Sequence, residues 1–122
     1  MAETQRKGIA FDQVWKSVTG VPAIDFKDLR YTAVNFNADE KITTAAAGTN
    51  AIGIIYDPLD IDQPAQVVVH GFAFCRYGAA VEAGQELEVG TGGKLIPLTT
   101  GKLVGTAAIS AGADAIGTVL LK

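Results

Sequence analysis

The sequence predicts an all-β fold, a small Gly-rich β-barrel or sandwich built from two similar β units behind an N-terminal extension. Three observations carry that prediction. The chain from about residue 31 reads as one pattern written twice. Fourteen glycines stand beside only 7% aromatics, a composition suited to tight turns and close backbone approaches. Short alternating apolar runs follow one another between turn residues, with no sustained helical period.

The repeat is one of pattern more than identity. Val34-Asn-Phe-Asn-Ala-Asp-Glu-Lys-Ile42 lies opposite Leu87-Glu-Val-Gly-Thr-Gly-Gly-Lys-Leu95, so that Lys41 meets Lys94 at an offset of 53. One residue drops out past Gly48 and Gly101. Ala51-Ile-Gly-Ile54 then matches Leu103-Val-Gly-Thr106 at an offset of 52, Asp62 falls on Asp114, and Val67-Val-Val69 falls on Val119-Leu-Leu121. The two copies span about 31–69 and 84–121 within a β domain of 28–122. Repeats are sought first because a missed one misassigns the whole fold.

Each element has its own signal. Residues 1–27 form an N-terminal arm or short helix: Phe11, Val14, Trp15 and Val18 stand at i, i+3, i+4 and i+7, and Thr19-Gly-Val-Pro22 breaks that spacing. The segment either packs back on the domain, as a terminal helix or strand, or reaches a neighbouring subunit or another protein through Trp15. Strands are then expected over 30–37, 42–45, 51–56, 66–77, 86–89, 94–98, 103–110 and 115–121. Turn chemistry separates them at Asn37-Ala-Asp-Glu-Lys41, Asp57-Pro58, Glu82-Ala-Gly-Gln85, Gly90-Thr-Gly-Gly93, Thr100-Gly101 and Ala111-Gly-Ala-Asp114. In the longest strand, alternation sends Val68, His70, Phe72, Phe74 and Arg76 to one face and Val67, Val69, Gly71, Ala73, Cys75 and Tyr77 to the other. A core on the small face leaves two Phe side chains for a second covering layer or a subunit contact.

Size and charge narrow the function classes. A chain of 122 residues buries enough surface for one core without disulfides or metal. No apolar run approaches a membrane span, and Met1-Ala-Glu-Thr-Gln-Arg-Lys-Gly8 lacks the apolar stretch of a signal peptide, so a protein made and kept in a cytoplasm, or released from one, is expected. Residues 1–30 carry a net +1 and residues 31–122 a net −4. An acidic β body with isolated lysines is a poor phosphate tracker, which argues against a nucleic-acid partner.

Candidates for chemistry lack company. His70 and Cys75 are each the only residue of their type and, five apart on one strand, point to opposite faces. They make neither a metal cluster nor a nucleophilic pair, so no catalytic, cofactor or metal site is expected. Asp57-Pro-Leu-Asp-Ile-Asp62 lacks the Gly and distal Glu of a calcium loop and reads as an acidic turn. Gly90-Thr-Gly-Gly93 has no helix after it to cradle phosphate. Lys41 and Lys94 stand at hairpin tips, where swinging-arm carriers attach lipoate or biotin, but Asp39-Glu-Lys-Ile42 and Gly92-Gly-Lys-Leu95 do not reproduce the Met-Lys-Met or Asp-Lys-Ala contexts. A carrier domain and a non-catalytic adaptor domain are the alternative readings.

The order Asp28-Leu-Arg-Tyr-Thr-Ala-Val34, Asn37-Ala-Asp-Glu-Lys-Ile42, Ala51-Ile-Gly-Ile-Ile55, Val67-Val-Val-His-Gly71, Gly78-Ala-Ala-Val-Glu-Ala-Gly-Gln-Glu-Leu87, Gly93-Lys94 and Leu103-Val-Gly105 resembles the capsid cement or head decoration proteins of tailed bacteriophages. The resemblance covers about residues 28–122; the first 27 depart from it. It implies a structural virion protein, made in the host cytoplasm and located on the outer capsid surface. It implies the major capsid protein as partner, a homo-oligomer with a trimer favoured, and no catalytic residues; the charge balance and the lack of a long apolar run separately lead to the expectation of no nucleic acid and no membrane. Combined with the residue pattern, it suggests capsid or subunit contacts through Phe11, Val14, Trp15, Val18, Phe72 and Phe74.

Overall fold

The computed structural model describes residues 16–57 and 64–121, and in these the protein is built almost wholly of antiparallel strands. The strands are β1 (Lys16–Gly20), β2 (Ala33–Phe36), β3 (Ile42–Thr44), β4 (Gly53–Asp57), β5 (Ala65–Arg76), β6 (Glu86–Val89), β7 (Leu95–Pro97), β8 (Gly105–Ala107) and β9 (Ile116–Leu121). One short 3-10 turn, Thr91–Gly93, joins β6 to β7. Among the described residues no helix is long and apolar enough to cross a membrane.

The strands run in the order β3-β2-β4-β5-β9-β8-β6-β7, with β1 added on β5. That order contains the same five-strand unit twice. In the first, β2 pairs with β3 and β4, and β5 pairs with β4 and β1; in the second, β6 pairs with β7 and β8, and β9 pairs with β8 and the later half of β5. The register repeats residue by residue. Val34↔Thr44 becomes Leu87↔Pro97 at an offset of 53, and Ile55↔Val67 becomes Ala107↔Val119 at an offset of 52.

The described structure carries the repeat upstream of the β strands that the sequence pattern marks. Ser17↔Val68 and Thr19↔Gln66 correspond to Phe72↔Leu120 and Phe74↔Thr118, so β1 is the counterpart of the second half of β5. Residues 16–20 are therefore a strand of the sheet, and the helical spacing that runs from Phe11 to Val18 does not persist through them. The twelve residues of β5 serve both units, and the strand changes partners at Gly71, whose φ of 90° is open to glycine at little cost. Parallel bridges Pro22↔Ile42 and Tyr77↔Leu95 bring the chain after each first strand back to the far strand, curling each unit into a barrel-like form.

The two interiors match accordingly. Val34, Ile42, Ile55 and Val67 fill the first; Leu87, Leu95, Ala107 and Val119 take the equivalent places in the second, most of them fully buried. Each of the Val, Leu and Ile side chains among them stabilises the fold by about 1.5–3 kcal/mol relative to exposure. The second unit also covers the outer side of the first, burying Ala33, Ile54 and Val68. Backbone bonds seal this contact, from Gly48 N to Val89 O at 2.8 Å and from Arg76 N to Tyr31 O at 2.9 Å.

Candidate interaction surface

The alternation of β5 divides as the small-face reading expects. Val67, Ala73 and Cys75 point inward with the following Tyr77, while His70 and Phe74 are exposed and Phe72 and Arg76 are half-buried. Val68 is the exception on the outward side, buried because the second unit lies over it.

The outward face of the second unit carries several apolar side chains. Phe72 pairs with Leu120, Phe74 with Thr118 and Arg76 with Ile116. Phe74 is 53% exposed, and Ile116 and Leu120 are also open to solvent. The Tyr31 ring meets Phe74 edge-on, with centroids 5.6 Å apart at 62°, and the Arg30 guanidinium lies 5.8 Å from the Tyr31 centroid. Arg76 Nε donates to Arg30 O at 3.2 Å.

Of the residues the sequence singles out for contacts, Phe72 and Phe74 share this face. Val18 does not: it pairs with Val67, on the inward side of the sheet, and is 42% exposed at the rim of the first unit. Phe11, Val14 and Trp15 lie outside the described residues. Arg76 shares the face as the alternation of β5 expects, whereas Arg30 and Tyr31 join it without any motif to announce them.

Tyr31 has one signal, visible by extending the repeat. It occupies a left-handed conformation, φ 68°, where the second unit places Gly84 at φ 93°. A non-glycine residue there carries a penalty of about 1–2 kcal/mol. Glu40 at φ 65° and Gly93 at φ 81° form a second such pair. Here glycine is required in the later unit, because a Cβ on Gly93 would stand 2.9 Å from Ala33 O across the contact between units.

The remaining candidates take structural places. Burial pushes the Cys75 thiol up to about 12, so it is a thiol and not a thiolate near neutrality. Lys94 Nζ donates to Asp114 at 2.7 Å, which holds the Asp114 carboxyl below its ordinary range, and Lys41 lies exposed in the β2–β3 turn. In that turn Asn37 Oδ1 accepts from the backbone of Asp39 and Lys41. Glu88 is buried, yet its carboxyl is depressed by hydrogen bonds from Thr99 N and Gly101 N that outweigh desolvation. It tethers the 99–101 loop, as its counterpart Asn35 tethers the earlier loop through Asn50 O. Among the described residues no group of three or more His, Cys, Asp or Glu is placed to hold a metal ion. Most of the Asp57–Asp62 segment lies outside the described residues.

No protein family matches the chain, and no curated protein matches it. Among solved structures it is similar to the crystal structure of the head fiber gp8.5 N base in bacteriophage phi29, with a TM-score of 0.67 and 18% sequence identity over 88% of this chain and 94% of that one. At that identity the likeness is one of fold.

Proposed function

We propose that this protein is a structural component of a bacteriophage head, binding the outer surface of the capsid shell as a decoration or cement protein. The observation that carries this reading is the fold likeness to the base of a phage head fiber, which spans nearly the full length of both chains. The order of sequence elements that resembles head decoration proteins points the same way. On this reading the partner is the major capsid protein, and the protein assembles there as a homo-oligomer, with a trimer favoured.

The mechanism is adhesion. A folded β unit that bridges capsid subunits adds interface area, and repeated contacts on one lattice act together through high effective concentration. The segment before β1, with Phe11, Val14 and Trp15, serves as an additional arm toward the shell or a neighbouring copy, while Val18 is held in the sheet opposite Val67. The acidic remainder keeps the particle from adhering to nucleic acid.

Co-sedimentation with expanded, undecorated heads of the phage that encodes the protein tests the proposal. Saturable binding at a fixed ratio to the major capsid protein is expected; no binding to matched heads overturns it.

A further inference from the structure

We propose that the outward face of β5 and β9, with Tyr31, Arg30 and Arg76 at its edge, is the surface that docks on the shell, and that it fits an acidic protein surface with an apolar centre. This inference rests on the shell-binding reading above and names its contact.

The internal repeat supplies a reference for what this face needs merely to fold. Where the first unit carries Ser17, Thr19 and Gln66, the second carries Phe72, Phe74 and Thr118 at the same register. The polar choice suffices for an outward strand in one unit, so the aromatic choice in the other is not a demand of the fold. Phe74 remains 53% exposed, with Leu120 and Ile116 beside it. Aromatic and Arg side chains are the usual anchors of protein interfaces, and Phe74, Tyr31, Arg30 and Arg76 gather them in one place.

Tyr31 adds an independent observation. Its turn is made by Gly84 in the second unit, so glycine serves the geometry and the left-handed Tyr is retained against its own backbone preference. The ring packs on Phe74 and lies beneath Arg30. Strain held at one position to keep a particular side chain is characteristic of sites that are used.

Charge identifies the partner. The body from residue 31 is net acidic. The face collects positive groups nonetheless: Lys16 stands opposite His70 at the end of β5 nearer Phe72, and Arg76 and Arg30 flank Phe74 at the other, where Asp114, a carboxylate that Arg76 acts on, is already bound by Lys94. Carboxylates around an apolar patch complement that arrangement, steer association and fix orientation. The aliphatic Leu120 and Ile116 beside the rings suit a protein surface better than a strand of stacked bases.

The test compares head binding by the full chain, by Phe72→Ser with Phe74→Thr, which writes the first unit's own residues into the second, and by Lys16→Glu with Arg30→Glu. Phe36→Ser, which removes an equally exposed aromatic from β2, is the control. Loss of about 100-fold in affinity is expected for the aromatic pair and about tenfold for the charge pair, with wild-type binding weakened by added salt and the control unchanged. Wild-type affinity in both variants overturns the face while shell binding stands. Failure of the wild type itself to bind matched heads overturns both. Dissociation of an oligomer by the aromatic variant, with head binding intact, gives the face to a second copy and likewise overturns the proposal. Thermal melts check that each variant folds, and the charge pair remains decisive should the aromatic pair not.

Discussion

Replacing Gly53 or Gly105 by Ala should damage the fold severely and to a similar degree, because the two glycines are the same position in the two units. A Cβ on Gly53 runs into the Val68 carbonyl and stands 2.9 Å from Val67 Cγ1; on Gly105 it runs into the Leu120 carbonyl and stands 2.8 Å from Val119 Cγ2. Carbon atoms in favourable contact lie about 3.5–4.0 Å apart. Neither strand can simply yield: β4 is paired on both sides, to β2 and β5, and β8 to β6 and β9. Overpacking of this kind costs about 3 kcal/mol, a large fraction of the total stability of a small domain. For a chain of this size that lowers Tm by roughly 10 to 18 °C. Gly112→Ala is the control, since a Cβ there meets nothing within 4 Å and φ is not positive. It should be neutral or stabilising by up to about 1 kcal/mol. Urea and thermal denaturation followed by circular dichroism measure all three. If Gly53→Ala or Gly105→Ala stays within about 0.5 kcal/mol of wild type, the close approach and the shared register are wrong.

Other consequences are checked in the same way. Glu40→Gly should stabilise the protein by up to about 1 kcal/mol, since relief of the left-handed strain outweighs the added freedom of the unfolded chain, whereas Gly93→Ala should destabilise it; a reversed order in urea melts would contradict the contact between units. Cys75 should resist a thiol reagent at pH 8 until the protein is unfolded, and rapid labelling of the native protein would refute its burial. Glu88 has its folded-state carboxyl below the unfolded value, so its contribution is present above about pH 4.3 and is lost as pH falls through the depressed folded value. Glu88→Gln should flatten the acid limb of stability against pH, and an unchanged slope would show that the tether does not matter.

Much of the β architecture is legible in the sequence because the offsets of 53 and 52 reappear in the pairing register. β1 escapes such reading for a physical reason. Its residues are mostly exposed, so it has no buried alternation, and it is held by backbone pairing to β5 and not by side-chain burial. The apolar spacing that ends at Val18 belongs to a different period and conceals the strand. The two sides of β5 are readable, but the burial of Val68 is not, since it depends on the other unit. Tyr31 and Glu40 become informative only when set against Gly84 and Gly93. Buried Glu88 runs against its type; its partners are mainly backbone N–H groups, with the Thr99 hydroxyl, that no side-chain pattern reveals.

A cryo-electron-microscopy reconstruction of heads saturated with the protein tests shell binding most directly. Barrel-like density is expected on the outer surface, at a fixed position on the lattice, with the Phe74 and Tyr31 side of β5 turned toward the shell. Heads without added density, or density confined to the interior, would contradict it.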